Sequence, residues 1–397
     1  MMRVGLLTRR AKTLNTYLVS GLIGKVMFQS RVPEGKNLKR ILVVKPDNIG
    51  DVVLSSLLMP ALLERFKDAS MVYIVKKGLK DLLFPVKCIS DTIEIPWGRG
   101  HLGEVGGERP EKKAAWAILK RHIKDYKPEA IIDLRASPAG NIAALLAGLS
   151  GTTPYRVALD GFRLREIFGR KADRHTKWAR HEAETFFLAM KQAGLFPEYA
   201  DYRSALRFWS LPETHRPYER PYVLIQPGAV WEHKRWPYFA ELINSVARKN
   251  EMLRFVLVGA AKEDEVCERV FLGLDEAVKA KTENLAGKTS LRELILLVNG
   301  AGLVIANDSG VAHIAGALGR RTVVFFGPSS PARFAPLSTS PLRVKVFHFK
   351  MECCPCDQTD CTYRHGGNCL SRIPPEAVFD YINGVFCTEP VCASSAR

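Results

Sequence analysis

The chain has no run of about 18 consecutive apolar residues, so nothing in it reads as a membrane-spanning helix. It lacks a G-x-G-x-x-G after its first strand-like run, which argues against a nicotinamide- or flavin-dependent oxidoreductase. Gly287-Lys288-Thr289 imitates the end of a P-loop, but Thr282 stands where the first glycine is required, so the kinase and ATPase readings recede as well. There is no zinc-finger or basic-zipper spacing and no basic stripe interleaved with aromatic residues, which disfavours nucleic acid as a partner. Acids are missing from residues 1–33, which carry Arg3, Arg9, Arg10, Lys12, Lys25 and Arg31. A clean secretory leader is missing too: Asn15, Thr16 and Ser20 interrupt the apolar segment, and no clear small-residue cleavage site follows.

What is present begins with charge. The 58 Lys+Arg exceed the 41 Asp+Glu, for a net charge of +17, which attracts phosphorylated molecules or acidic surfaces. The 397 residues exceed what one core usually holds, so two domains are expected. Nine cysteines, an odd number, with no secretory signal point to reduced thiols in the cytoplasm. Cys353, Cys356, Cys361 and Cys369 cluster, with Cys354 and His365 among them. Thiolates so close suit zinc or an iron–sulfur cluster. With no second C-x-x-C, free or disulfide-linked thiols are the other reading, and no metal ligand is assigned.

Within residues 1–38, Leu14, Leu18, Leu22 and Val26 recur every four residues, giving a basic amphipathic helix. Such a helix either lies on an anionic membrane or packs on the protein's own surface. Strand-like and helix-like runs then alternate. The strands expected are 40–45, 71–75, 130–134, 222–226, 255–259, 303–306 and 322–326. The helices expected are 52–66, 141–149, 181–194, 237–249, 263–272, 291–299 and 311–318. Residues 97–113 read as a loop rich in glycine and charge, and the proline-rich stretch holding Pro212, Pro217 and Pro221 as a linker. Alternation of this kind predicts parallel sheets covered by helices. The expected division is an N-terminal extension (1–38), two Rossmann-like α/β domains (39–210 and 221–375) and a C-terminal helix and tail (376–397).

Three loops follow carboxyl ends of expected strands, where open α/β sheets bind ligands. The first is Lys45-Pro46-Asp47-Asn48-Ile49-Gly50-Asp51. Gly50 permits close approach of backbone, and Asp51 serves either as a helix cap or as a general base, with Asp47 a second candidate. The second runs from Gln226 to Pro237 and offers Gly228, Ala229, Lys234 and Arg235, two cations at a helix start that suit a phosphate unless the loop is merely solvated, with Trp236 plugging the core. The third is Asn307-Asp308-Ser309-Gly310-Val311-Ala312-His313. Small residues there expose N–H groups to an anion. The alternative is a plain cap at Asp308 or Ser309 with a core histidine at His313.

Taken together, the loops resemble the heptosyltransferase family, glycosyltransferase family 9. The resemblance rests on Ile49-Gly50-Asp51-Val52-Val53-Leu54, Gly228-Ala229, Lys234-Arg235-Trp236-Pro237 and Asp308-Ser309-Gly310 with His313. Asn284-Leu285-Ala286-Gly287-Lys288-Thr289 and Phe326-Gly327-Pro328-Ser329-Ser330-Pro331 extend it across roughly residues 39–385. It implies a GT-B fold, an ADP-heptose donor, a lipopolysaccharide inner-core acceptor, inversion at the sugar carbon and no essential metal or cofactor. It further implies Asp51 as the base, with Gly228, Lys234, Asp308, Ser309, Gly310 and His313 around the donor and Asp47, Asn48 and Gly50 on the acceptor side. A transferase using another nucleotide sugar, a non-catalytic nucleotide-sugar-binding protein and a membrane-surface adaptor are the competing readings. The extension before the first strand departs from the family. With it, the resemblance implies a cytoplasmic enzyme that meets the membrane peripherally.

Overall fold

A computed structural model describes residues 32–96, 109–134, 155–158, 180–195, 202–211, 221–356 and 369–388, with residues 143, 146, 147, 218 and 361 besides. The amphipathic periodicity of the extension, the loop over 97–108, Pro212 and Pro217 of the linker, His365 and the C-terminal tail lie outside these residues.

Two parallel sheets organise the chain. The first contains β1 (Arg40–Val44), β2 (Ser70–Lys76), β3 (Asp91–Ile95), β4 (Ala130–Asp133) and β5 (Tyr155–Ala158), in the order β3-β2-β1-β4-β5. The second contains β6 (Tyr222–Gln226), β7 (Arg254–Leu257), β8 (Thr282–Asn284), β9 (Leu303–Asn307), β10 (Thr322–Phe326) and β11 (Val344–His348), in the order β11-β10-β9-β6-β7-β8. The central strands Arg40–Val44, Tyr222–Gln226, Leu303–Asn307 and Thr322–Phe326 are nearly continuous apolar runs, because helices cover both faces of each sheet. In each sheet the strand order reverses once, between β1 and β4 and between β6 and β9. Ligand crevices form at such reversals. This is the paired Rossmann-like architecture of the GT-B class.

The helices follow the apolar spacing. In α5 (Phe239–Lys249; the earlier ones are α1, Ile49–Ser56; α2, Leu58–Arg65; α3, Arg109–Tyr126; and α4, Glu182–Gln192), Phe239, Leu242, Ile243, Val246 and Ala247 form one buried stripe. Next come α6 (Asp264–Leu272), α7 (Glu276–Lys279) and α8 (Leu291–Gly300), the last started by a capping box in which Ser290 and Glu293 satisfy each other's backbone N–H. Then follow α9 (Gly310–Ala317), α10 (Pro331–Phe334) and α11 (Pro375–Thr388).

Several expectations need correction. The single helix expected over 52–66 is two, α1 and α2, broken at Leu57. The loop expected over 97–113 gives way to α3 from Arg109 onward. The helix expected from Pro237 begins at Phe239. Strands β3, β5, β8 and β11 were not anticipated; they are short edge or near-edge strands with weaker apolar character.

The two halves also share a core. Leu57, Leu58 and Tyr73 of the first belong to the same apolar cluster as Ile295, Val311 and Ile314 of the second. Arg333 Nη2 pairs with Glu182 at 2.9 Å, and His181 Nε2 donates to the Ala335 carbonyl at 2.9 Å.

Candidate active site

The β1 loop places Asp51 in the first turn of α1. Asn48 occupies the N-cap position, and no side chain caps the helix there, so the capping role is not what Asp51 performs. Burial pushes the Asp51 carboxyl up from its ordinary range; Lys45 pulls it down, Glu182 pushes it up, and Arg333 and Lys76 again pull down. Asp51 makes no ion pair within 4.0 Å among the described residues, whereas Asp47 does. Asp47 is buried, with Oδ2 3.3 Å from the Lys45 ammonium and Oδ1 accepting the Asn48 N–H at 3.0 Å. The two candidate carboxylates thus separate: Asp47 is spent on holding the loop, and Asp51 is available.

The β6 and β9 loops meet at the reversal of the second sheet. Lys234, in a turn of 3-10 helix, donates to Asp308 Oδ2 at 2.8 Å and lies 5.1 Å from the centre of the Trp231 ring. Arg235 turns the other way and donates from Nε to the Ala229 carbonyl at 3.0 Å, so only one of the two expected cations stands beside Asp308. Trp236 is the core plug: it stacks on Phe325 with centroids 4.1 Å apart, and its Nε1 donates to the Ile373 carbonyl at 3.0 Å. Ser309 holds the N-cap position of α9, yet its side chain makes no cap bond and its hydroxyl is buried without a partner. Together with the free N–H groups of a helix start, that is an anion-binding geometry waiting for its acceptor atoms. His313 is buried in the first turn of α9, with Nδ1 unpartnered; burial drops it to about 4, so it is a neutral imidazole at physiological pH.

Two glycines let the halves touch. A Cβ at Gly50 would lie 2.6 Å from His313 Cδ2, and one at Gly310 would lie 2.6 Å from Ile49 Cβ. The β1 loop and the α9 start can approach this closely only because both positions lack a side chain. The β1 loop, with Asn48, Gly50 and Asp51, and the start of α9, with Asp308, Ser309, Gly310 and His313, therefore pack against each other where the halves meet.

Two residues escaped the sequence reading. Asn307, fully buried, donates to the carbonyls of Pro227 (2.8 Å) and Gly228 (3.3 Å) and accepts the Trp236 N–H (2.9 Å). It fastens the second loop to the third; a polar residue closing an apolar strand was the available signal. Glu263 is buried against Gly228, whose added Cβ would lie 2.6 Å from its carboxyl carbon, and it accepts the Ala260 N–H at 2.9 Å.

The cysteine cluster packs on the loop after β10: the Cys356 N–H donates to the Pro328 carbonyl at 2.9 Å, and a Cβ at Gly327 would lie 3.3 Å from Cys369 Sγ. Cys353, Cys354, Cys361 and Cys369 form no disulfide among the described residues, and among those residues no group of three or more histidines, cysteines or carboxylates is arranged to hold a metal. Cys354 hydrogen-bonds Cys369, which draws the Cys369 thiol down to about 7 and pushes Cys354 up.

Residues 119–365 match glycosyltransferase family 9 (heptosyltransferase). The chain is 28% identical to lipopolysaccharide heptosyltransferase 2 of Escherichia coli K12 over 313 residues, covering 75% of this chain and 86% of that one. Against lipooligosaccharide heptosyltransferase 2 of Haemophilus influenzae it is 27% identical over 326 residues, covering 77% and 88%. Among solved structures, the E. coli ADP-heptose lps heptosyltransferase II superposes with a TM-score of 0.63 at 23% identity, covering 88% of this chain and 99% of that one. A family 9 glycosyl transferase from Veillonella parvula gives 0.65 at 19%, covering 90% and 100%. The family match covers more than half of the chain, and the chain belongs to glycosyltransferase family 9, a family of heptosyltransferases.

Proposed function

We propose that this glycosyltransferase moves a heptose from ADP-heptose to the inner core of lipopolysaccharide, inverting the sugar carbon, with Asp51 as general base. The names of the relatives support the substrates. The observation that supports the mechanism is the packing of the β1 loop, which carries Asp51, against the start of α9, where Asp308 holds Lys234.

In this reading the acceptor hydroxyl gives its proton to Asp51 as its oxygen attacks the anomeric carbon. The carbon–oxygen bond to the diphosphate breaks, and ADP leaves with the electron pair. Negative charge grows on the diphosphate. Lys234, the Ser309 hydroxyl and the N–H groups of Ser309 and Gly310 stabilise it where it grows, fixed before the reaction begins. Gly228 lets the β6 loop backbone come close, and Asp308 holds Lys234 in place until phosphate competes for it. Neutral His313 forms the floor at Gly50. Asp51, enclosed and raised, is a stronger base than an exposed carboxylate, which suits proton transfer near neutral pH. Asp47 and Asn48 shape the acceptor-side loop rather than perform chemistry.

No described helix is long and apolar enough to cross a membrane. We infer a cytoplasmic enzyme that meets its lipid-anchored acceptor at the membrane surface, with residues 1–33 and the net charge of +17 as the means of contact. The test is transfer from ADP-heptose to heptose-deficient lipopolysaccharide, wild type beside Asp51→Ala. A fall of about 10² or more in kcat is expected for the variant. A wild type that binds ADP but transfers nothing would instead require another sugar, or a binding protein without catalysis.

A further inference from the structure

The helix α3 has no place in the steps above. Side chains alternate along β1: Ile41 and Val43 enter the apolar cluster shared between the halves, whereas Leu42 and Val44 enter a separate one with Ala115, Leu119 and Ile123 of α3. That second cluster draws on the first half alone, so α3 covers the sheet face turned away from the other half. The helix returns between the parallel strands β3 and β4 and must run against them. Tyr126, at its end, points its hydroxyl at the Ser70 carbonyl (2.5 Å), with the Ile41 carbonyl at 3.1 Å, both near strand starts. The early turns of α3 therefore lie toward the opposite sheet edge, the one whose β1 loop leads to Asp51.

The outer side of this helix carries a pattern. Lys113, Trp116, Lys120 and Lys124 recur at steps of three and four residues, which puts them in one stripe, and Lys127 follows at the helix end. All five are exposed, Trp116 to 39%. No acid falls in the stripe; the spacing sets Asp125 away from it. None of these lysines has an ion-pair partner among the described residues. Exposed cations elsewhere do: Lys39 meets Asp68 at 2.8 Å, and Arg248 meets Asp275 at 2.9 Å.

A row of lysines around an exposed indole, without acids, calls for an anionic partner that also accepts an apolar ring. Protein interfaces are poor in lysine, so an acidic protein is the less suited occupant. At a bilayer surface lysines meet the headgroups while their stems and a tryptophan ring settle at headgroup level. We propose that the Lys113–Lys127 stripe of α3 docks the protein on an anionic phospholipid surface, with the Asp51 edge of the first sheet held beside the bilayer. This docking deepens the membrane contact proposed above and rests on that reading: it gives the contact a folded surface, on the half that must receive the lipid-anchored acceptor.

The test is cosedimentation of the full chain with vesicles of phosphatidylcholine, with and without phosphatidylglycerol. One variant combines Lys113→Gln, Lys120→Gln and Lys124→Gln. A control combines Lys67→Gln, Lys87→Gln and Lys249→Gln, which removes the same charge from exposed positions elsewhere. Because every substituted side chain is exposed, the core is undisturbed, and transfer to a soluble, de-O-acylated acceptor should be unchanged in both. Wild type should bind the anionic vesicles, the stripe variant about 10-fold or more weakly, and the control nearly as wild type. Vesicles should also shift the tryptophan emission of wild type to the blue, and Trp116→Phe should remove most of that shift. A stripe variant that binds as wild type does, or an equal loss in both triple variants, overturns the proposal: the contact then lies elsewhere or is a matter of net charge alone. A wild type that binds neither vesicle overturns the membrane reading and the proposal with it, leaving an acidic protein as the occupant of the stripe. A wild type that binds anionic vesicles through the stripe yet transfers nothing to the soluble acceptor overturns the reading of the reaction instead.

Discussion

Asp51 and His313 are perturbed by the same cause, enclosure, with opposite consequences for pH. Asp51 is an acid raised in the folded protein, so its charged form is disfavoured there. Stability is lost as pH rises from the ordinary 3.8 through the raised folded value. Asp51→Asn removes that loss. The variant should therefore melt at higher temperature than wild type near neutral pH while losing transfer, a pairing that a merely damaged site would not give. His313 is a base lowered from 6.5 to about 4. Between those values the unfolded chain takes up a proton that the folded chain refuses, so stability is full above 6.5 and falls as pH drops toward 4. The loss attributable to this residue is about 3 kcal/mol across the window. Urea unfolding at pH 7 and pH 5 should show a smaller acid penalty in His313→Gln than in wild type; equal penalties would mean that burial of the ring does not govern acid stability. If Lys234 holds the diphosphate as proposed, Lys234→Ala should raise the KM for ADP-heptose in the same transfer assay, because it also leaves Asp308 without its 2.8 Å partner.

Among the elements, the loops at the strand ends depend on one another. Asn307 ties the β6 loop to the end of β9 through three hydrogen bonds. Asn307→Ala strands the Pro227 carbonyl and the Trp236 N–H in a buried position, while the Gly228 carbonyl keeps Gln226 Nε2, at a cost of about 1–3 kcal/mol. ADP affinity should fall with it although Asn307 belongs to no expected contact with the ligand; calorimetric titration and denaturant unfolding would show both. Legibility from the sequence divides along the same line. Both central strand sets were readable, because strands buried on two faces are unbroken apolar runs. The stripe of α5 was readable because its spacing is helical. β3, β5, β8 and β11 were not: Asp91–Ile95 and Thr282–Asn284 carry polar residues that only a neighbouring strand makes sense of. The break at Leu57 was hidden because apolar residues continue through it. In the site, Gly50, Asp51, Asp308, Ser309 and His313 were visible as loop residues after strands. That Arg235 turns back on Ala229, or that Asp47 is occupied by Lys45, depends on side-chain directions that spacing does not encode.

At the scale of the whole molecule, Gly50 and Gly310 set how near the halves come. Gly50→Ala would press a methyl into His313, and Gly310→Ala one into Ile49, both at 2.6 Å. Each should push the β1 loop away from the start of α9, and under the proposed mechanism this leaves ADP binding largely intact while lowering kcat. Equal losses of ADP affinity and kcat would argue against that picture. The cluster that joins Leu57 and Tyr73 to Ile295 and Ile314 carries a further consequence. Each half has apolar clusters of its own, but the largest cluster is built from both. Heating should therefore produce one cooperative calorimetric peak, with van't Hoff and calorimetric enthalpies in agreement, rather than the two steps of beads on a string. Halves expressed from separate genes should be sticky alone and soluble when made together.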